Sequence, residues 1–262
     1  MTMQKIDLQD LEAYSPWPAR LRGEMPYAPK TKSHAELYRE YNDEKYAGLL
    51  DATTISGALE RYWGPGDEVV ACSRHDELFA APRAQAHALR NKLFVESLRP
   101  YLAQTTTVVE LGAGFGQAAH VLMSAFPQLM YYAGEFAPNG RKLGEQLLPQ
   151  VRFVPFDLYA PEWEIFEGVQ DALVLTVHTV EMLPDARLFV NQLSRYRSHI
   201  LHAVHFEPLY EDGDELAALR RGYIDLNGYC KNIGESVPNA KIEHDFFGLN
   251  PLFPEARIEW KP

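Results

Sequence analysis

Three glycines stand at alternate positions where a short apolar run meets a helical one. Gly112, Gly114 and Gly116 follow the β-branched run 107–111 and precede the helical pattern of 117–125. Glycine lets the backbone turn sharply and lets a ligand approach closely, because it has no Cβ. The helix that follows offers its free N–H groups to that ligand. The segment therefore predicts a strand, a ligand-binding loop and a helix in direct succession.

The alternation of strands and helices continues to the end of the chain. Strands are expected at 107–111, 129–135, 151–156, 172–178, 199–205, 242–249 and 256–260, and helices at 117–125, 140–148, 186–196 and 215–236. This alternation predicts a doubly wound α/β fold with a mostly parallel, seven-stranded sheet. Only residues 250–255 separate the last two strands, so we expect a hairpin and an antiparallel last strand.

The first hundred residues have a different character. Residues 1–31 are rich in proline and indicate an irregular arm with one short helix at most. A helical pattern begins after Ser33, the candidate N-cap, and a second one covers 82–102. We therefore expect two domains. The first, residues 1–100, is an arm with a helical cap, and the second, residues 101–262, is a Rossmann-like domain.

Composition and charge disfavour several classes of protein. No apolar run approaches the roughly 18 residues of a membrane helix, and the N-terminus lacks the apolar core of a secretory signal. The two cysteines, Cys72 and Cys230, do not have the spacing of a disulfide framework or a zinc site, which favours the cytoplasm. The net charge of -11 disfavours nucleic acid and is compatible with a cationic substrate. We expect a small-molecule substrate, no membrane partner and no nucleic-acid partner; a homodimer is left open.

The spacing of the glycines distinguishes between cofactors. A dinucleotide-binding loop requires G-x-G-x-x-G, and Gln117 stands where its third glycine would be. Glu110 would repel a pyrophosphate and attract a ligand that carries a sulfonium and an ammonium group. The run Glu-Leu-Gly-Ala-Gly-Phe-Gly resembles motif I of the class I S-adenosylmethionine-dependent methyltransferases, [DE]-x-G-x-G-x-G. The resemblance implies S-adenosyl-L-methionine as the cofactor, with contacts from Glu110, Gly112, Gly114 and Gly116.

Two further acids follow the second and third predicted strands, as they do in this family. The resemblance implies that Glu135 accepts hydrogen bonds from the ribose hydroxyls. It also implies contacts to the adenine, from Asp157, Phe136, Phe156 or Leu158. A helix cap or a turn former is the alternative for Asp157. The fourth strand and its continuation over 179–185 resemble the fourth motif of the family.

The methyl acceptor is expected near the end of the fourth strand, because ligands of open α/β sheets bind outside the carboxyl ends of the strands. The candidate catalytic residues follow the fourth and fifth strands: His178, Glu181, His205 and Glu207. A histidine can act as a general base near neutral pH, and two glutamates can clamp a planar cation. The competing interpretations are a structural role for His178 and a helix cap for Glu181.

Aromatic residues supply the candidate substrate contacts. These are Tyr38, Tyr46 and Tyr210. The first two belong to the predicted cap helix, and the third follows the fifth strand. Packing in the core is the competing interpretation for an aromatic stripe on a helix.

The sequence therefore predicts N-methylation of a cationic small metabolite, an arginine-like guanidino or amine compound of a secondary-metabolite pathway. Arginine-methylating relatives in the superfamily hold their substrate between two glutamates, but their loop spacing is not reproduced here. A second hypothesis is O-methylation of a sugar or another hydroxylated metabolite, with His178 or His205 as the base. A non-catalytic protein and a nicotinamide-dependent enzyme on the same fold are two further hypotheses. No metal is expected, because the D…D-N pattern of catechol-type enzymes is missing.

Overall fold

The computed structural model describes residues 3–29 and 33–262; residues 1–2 and 30–32, in and beside the predicted arm, lie outside the described residues. The strands are β1 (Gln4–Ile6), β2 (Val69–Arg74), β3 (Glu77–Pro82), β4 (Thr107–Leu111), β5 (Met130–Glu135), β6 (Arg152–Pro155), β7 (Ala172–Val177), β8 (Ile200–Glu207), β9 (Lys241–Phe247) and β10 (Glu255–Trp260). The α-helices are α1 (Trp17–Leu21), α2 (His34–Tyr38), α3 (Ile55–Trp63), α4 (Arg83–Leu102), α5 (Gln117–Ala125), α6 (Pro138–Leu147), α7 (Ala186–Ser194), α8 (Glu215–Asn227) and α9 (Ile233–Ser236). A π-helix, Arg39–Tyr46, continues α2.

The larger sheet has seven strands in the order β6-β5-β4-β7-β8-β10-β9. Six of them run parallel to one another, and β10 is antiparallel to both of its neighbours, β8 and β9. The predicted fold class and the closing hairpin are confirmed. Strand β4 pairs with β5 on one side and with β7 on the other, so the chain reverses its direction across the sheet at β4. Such a reversal opens a crevice at the carboxyl ends of the strands, where open α/β sheets bind ligands.

Two predictions about individual elements are wrong. The helix expected over 215–236 ends at Asn227, because Gly228 adopts a left-handed conformation that caps it, and α9 is separate. The cap is not purely helical, since β1, β2 and β3 form a small antiparallel sheet. A two-residue turn joins β2 to β3, and both of its residues, His75 and Asp76, have positive φ angles. Tight hairpins prefer such turns, but usually with Asn-Gly or Asp-Gly, and that signal is missing here.

Apolar side chains cover both faces of the larger sheet. Phe166, Phe189 and neighbouring residues pack against one face. On the other face the ring centroid of Phe94, in α4, lies 4.8 Å from that of Phe206 in β8. Helix α4 is therefore a layer on the sheet, although the sequence analysis grouped it with the cap. The domain division near residue 100 stays a prediction.

The small sheet joins the larger one at the edge strand β9. Ser73 and Gly248 exchange two backbone hydrogen bonds of 2.8 and 2.9 Å. The cap is thus connected through the backbone to the end of the larger sheet that is farther from β4. Within residues 3–29 and 33–262, no helix combines the length and apolar character needed to cross a membrane.

Candidate functional site

A pocket opens at the carboxyl ends of β4, β5, β6 and β7, beneath α2 and the π-helix. Eight of the residues expected at the site line it: Tyr46, Gly112, Glu135, Phe136, Phe156, Asp157, Leu158 and His178. Cap residues close the pocket from above: His34, Leu37, Tyr41 and Tyr46. The structure thus brings residues from four strand ends and the cap around one space.

The glycine loop approaches its neighbours too closely to carry side chains. Gly112, Gly114 and Gly116 all have positive φ angles, of 73°, 57° and 88°. A Cβ on Gly112 would collide with the side chain of Thr179, and one on Gly114 would lie 2.7 Å from the Tyr46 hydroxyl. Both the backbone conformation and the available space therefore require glycine at these positions.

Glu135 ties the end of β5 to the glycine loop. Its carboxylate is buried and accepts 2.8 Å hydrogen bonds from the backbone N–H groups of Gly114 and Ala137. Burial raises the pKa of Glu135 to about 7, although these hydrogen bonds by themselves lower it. The side chain also lines the pocket, so the same oxygens can turn to a ligand hydroxyl.

Glu110 lies beneath the loop and does not line the pocket. Its buried carboxylate accepts a 3.1 Å hydrogen bond from the backbone N–H of Ala119, in the first turn of α5. Burial raises the pKa of Glu110 to about 8. In this arrangement Glu110 supports the N-terminus of α5, and the geometry lends no support to a direct contact with a sulfonium.

Asp157 stands at the rim of the pocket beneath the cap. Its carboxylate lies 2.8 Å from Nε2 of His34 and accepts a 2.9 Å hydrogen bond from the Tyr159 backbone. The second bond is the turn-forming contact that competes with a ligand contact for this residue. The ring of Phe136 packs 5.8 Å from that of His34 and 6.1 Å from that of Tyr38. Tyr38 lies on a neighbouring surface groove that it shares with Asp157 and Phe136.

His178 lies at the other end of the pocket, directly after β7, with a φ of 51°. Its Nδ1 lies 2.8 Å from Glu181, and its Nε2 lies 3.7 Å from Glu255. Burial disfavours the imidazolium, but the carboxylates of Glu181, Glu255 and Glu207 outweigh it and raise the pKa of His178 to about 9. The imidazole is therefore protonated at neutral pH and is held in one orientation.

Glu207 supports the loop that carries His178. Both of its oxygens lie 3.0 Å from the backbone N–H of Thr179, and one lies 3.3 Å from that of Glu181. Burial, and then the charge of Glu181, raise the pKa of Glu207 to about 7. Neither glutamate lines the pocket. The expected clamp of two free carboxylates is not formed in this arrangement.

Two residues from the expected site lie elsewhere. His205 is buried between the Thr176 hydroxyl, at 3.0 Å, and the indole N–H of Trp260, at 2.8 Å. Burial lowers the pKa of His205 to about 3, so it stays neutral. The hydroxyl of Tyr210 donates to Asp225 at 3.2 Å, outside the pocket. The geometry therefore lends no support to a base at His205 or to a substrate contact at Tyr210.

Sequence reasoning missed several residues of the site. Thr179 lines the pocket and directly follows His178, so its place at a strand end could have revealed it. His34 is the first residue of α2 and contacts Asp157, which lies 123 positions away in the sequence. No local pattern indicates this contact. Glu255 approaches His178 from the last hairpin, which no local pattern could reveal. Among the described residues, no group of three or more histidine, cysteine, aspartate or glutamate side chains could hold a metal ion.

No protein-family model and no curated protein matches the sequence. Many solved structures are similar to the chain, among them the three that follow. PigF, solved with SAH, has a TM-score of 0.49 at 14% identity over 97% of this chain and 70% of PigF. A mutant of MtNAS has a TM-score of 0.51 at 10% identity over 86% of this chain and 73% of the mutant. The S-adenosylmethionine-dependent methyltransferase SibL, in its apo form, has a TM-score of 0.52 at 15% identity over 96% of this chain and 70% of SibL. The chain therefore shares its fold with SibL and the MtNAS mutant.

Proposed function

We propose that this protein is an S-adenosylmethionine-dependent methyltransferase that acts on a small molecule. The observation that carries the proposal is the meeting of Gly112, Glu135, Asp157 and His178 around one pocket. These four residues come from the ends of four neighbouring strands, and the fold is that of SibL, a methyltransferase of this kind.

The residues of the pocket are suited to each part of this cofactor. At Gly112 the loop lines the pocket with its backbone alone, because a Cβ there would collide with the Thr179 side chain. Glu135 would accept hydrogen bonds from the ribose hydroxyls, and Asp157 would accept one from the adenine amino group. Phe136 and Leu158 would supply apolar surface to the ring. When bound, the cofactor supplies a methyl group that its sulfonium has already activated, so the protein has mainly to position the acceptor.

Calorimetry with S-adenosylhomocysteine tests the proposal. We expect binding, and we expect Glu135→Ala to weaken it by about 10- to 100-fold, since hydrogen bonds to a charged group are worth about 1.5–3 kcal/mol. Glu145→Ala, on the exposed side of α6, is the control and should bind like the wild type. Absence of binding, or binding of NADH instead, would reject the methyltransferase. Unchanged affinity in Glu135→Ala would reject the role of Glu135.

For the acceptor, the geometry favours a hydroxyl group whose proton passes to His178. Glu181 holds Nδ1 of the ring, and the ring lines the pocket, so Nε2 remains for the acceptor. A base with a pKa of about 9 must first lose its own proton. The rate of methyl transfer should therefore rise with pH up to about 9.

The acceptor is tested with a panel of hydroxylated compounds, with His178→Gln as the variant. We expect a loss of methyl transfer of about 100-fold or more, which is typical for removal of a general base, with unchanged affinity for S-adenosylhomocysteine. His202→Gln is the matched control, because it removes a histidine from β8 outside the pocket. Full activity of His178→Gln would exclude the proposed base.

The second candidate is an amine or guanidino acceptor, which was the leading prediction from the sequence. Its support is the excess of negative charge beside His178, where Glu181, Glu207 and Glu255 face the cations Arg90 and His178. A panel of amines, guanidines and alcohols decides between the two. Methylation of alcohols alone, together with full activity of Glu207→Gln, would refute the cationic acceptor.

A further inference from the structure

The two glutamates beside His178 have different partners. Glu181 lies 2.8 Å from Nδ1 of the ring, within hydrogen-bonding distance. Glu255 lies 3.7 Å from Nε2, beyond that distance. The ring itself stacks on Phe253, with centroids 5.2 Å apart and planes 22° from parallel. His178 is thus held on its Nδ1 side and by its face, while the Nε2 edge stays unbonded to protein within the described residues.

Arg90, in α4, explains why Glu255 does not bond His178. The guanidinium is buried and lies 3.2 and 3.1 Å from the two carboxylate oxygens through Nε, and 2.8 Å from one of them through Nη2. It also lies over the ring of Phe94, 4.4 Å from the centroid. Both oxygens of Glu255 are therefore directed at Arg90 in the two-pronged geometry that arginine forms with carboxylates.

We propose that Arg90 is a positioning residue of the acceptor site, which holds the Glu255 carboxylate back from the Nε2 edge of His178 and so leaves that edge to the acceptor. The inference rests on the proposed role of His178 as the base. Arg90 does not line the pocket, so it acts through Glu255. A buried ion pair adds little stability compared with apolar side chains of the same size, which agrees with a role in arranging the site.

The charges around His178 set the direction of the effect. Glu181 follows β7, Glu207 ends β8 and Glu255 begins β10; Arg90 approaches from α4. The three carboxylates favour the imidazolium, and Arg90 neutralises one of them. Without Arg90, the free Glu255 carboxylate could come within hydrogen-bonding distance of Nε2 and strengthen the ion pair that now spans 3.7 Å. His178 would then release its proton less readily and be a base over a smaller range of pH.

The test is a titration of His178 by NMR in the full chain labelled at histidine, with its signal assigned by its loss in His178→Gln. We expect Arg90→Met to raise the pKa of His178 by about one unit, a tenfold change in the proton equilibrium, and Glu255→Gln to lower it. Local unfolding would instead lower the pKa of His178 in both variants, toward the ordinary value of a histidine near 6.5. Arg257→Met is the matched control. Arg257 lies in β10, the strand of Glu255, and its loss removes ion pairs to Glu243 and Glu259. The pKa of His178 should stay unchanged in this variant.

An unchanged or lowered pKa of His178 in Arg90→Met would overturn the proposal. If that variant does not fold, Arg90→Lys replaces it, because an ammonium group cannot hold both oxygens of Glu255 in the same way. In Arg90→Lys we expect a smaller rise in the pKa of His178. An unchanged pKa would likewise overturn the proposal. The titration needs neither cofactor nor acceptor, so its failure leaves the proposed methyl transfer standing. Once an acceptor is known, the acidic limb of the kcat/KM profile should move up by about one pH unit in Arg90→Met.

Discussion

Buried acids are the most distinctive residues of this protein. Six of them are buried among the described residues: Glu110, Glu135, Glu181, Glu207, Asp245 and Glu255. Each accepts a hydrogen bond from backbone N–H groups or pairs with a cation. A buried charge without such a partner would cost several kcal/mol. Glu110, Glu135 and Glu207 therefore hold the loops of the site in place, and Glu135 alone among the six lines the pocket.

At Gly114 we expect alanine to impair both stability and cofactor binding. The left-handed backbone costs a non-glycine residue about 1–2 kcal/mol, and the new Cβ would lie 2.7 Å from the Tyr46 hydroxyl. Gly168→Ala is the control, because its φ is also positive, at 73°, but no atom lies within 4 Å of the new Cβ. Urea unfolding and calorimetry with S-adenosylhomocysteine measure the two effects. Equal affinity in both variants would contradict the close approach at the loop.

The neutral His205 makes stability depend on pH. Its pKa is about 3 in the fold and near 6.5 in the unfolded chain. The unfolded chain therefore binds a proton first, so this contribution is complete above pH 6.5 and is lost as the pH falls toward 3. We expect the free energy of unfolding of His205→Gln to fall less steeply between pH 6 and 4, by up to about 1.4 kcal/mol per pH unit. His202→Gln, on the same strand but half-exposed, should change the slope less. Equal slopes in the wild type and His205→Gln would contradict the buried neutral ring.

At the scale of elements, the cap segment over the pocket is the notable one. Ser33 caps α2 with its side chain, as the sequence predicted. The chain then widens into the π-helix Arg39–Tyr46, which periodicity cannot reveal, because five-residue turns of this kind depend on tertiary contacts. Asn42, within it, is buried, and its side-chain oxygen accepts a 2.9 Å hydrogen bond from the backbone N–H of Asn139. Its backbone carbonyl accepts a 3.0 Å hydrogen bond from the Asn139 side chain. The cap is thereby joined to α6.

Asn42→Ala should loosen this cap. Alanine removes the side-chain oxygen that accepts from the Asn139 backbone and keeps the backbone carbonyl that accepts from the Asn139 side chain. Loss of the one bond is worth about 0.5–1.5 kcal/mol, so we expect faster amide exchange over 34–46 and up to about tenfold weaker binding of S-adenosylhomocysteine. Exchange measured by mass spectrometry and calorimetry report the two effects. Glu44→Ala removes only an exposed pair with Arg39 and should resemble the wild type. Unaltered exchange in Asn42→Ala would show that the aromatic contacts alone hold the cap.

For the whole molecule, one buried cluster joins the two sheets. Asp245, in β9, accepts from Ser73 and pairs with Arg220 at 2.8 Å, and it also accepts from the backbone of Asp76 in the β2–β3 turn. The cluster thus connects both sheets and α8. Because the cap reaches the pocket and the small sheet reaches β9, the N-terminal part contacts the larger sheet at two distant places.

We expect Asp245→Asn to destabilise the whole chain by about 1.5–3 kcal/mol, because Arg220 would lose its buried partner and keep the exposed Asp76. Urea unfolding followed by circular dichroism measures the loss. Asp212→Asn breaks a pair with Arg221 in which the aspartate is fully exposed, and such pairs contribute about 0–1 kcal/mol. Similar midpoints for the two variants would mean that the cluster does not join the sheets energetically.

The sequence by itself determined the strand–loop–helix unit over 107–125, the seven-stranded sheet and the order in which Gly112, Glu135 and Asp157 follow its strands. These follow from signals within a few residues of each other: alternating glycines, apolar periodicity and an acid at a strand end. Only the tertiary structure decided the partners of Glu207, His205 and Glu255. These partners are Thr179, Trp260 and Arg90, which lie 28, 55 and 165 positions away from them in the sequence. A hydrogen bond over such a separation leaves no pattern in the neighbouring residues. The acids near the site could thus be named in advance, whereas whether each faces a ligand or the backbone depended on the packing of the whole chain.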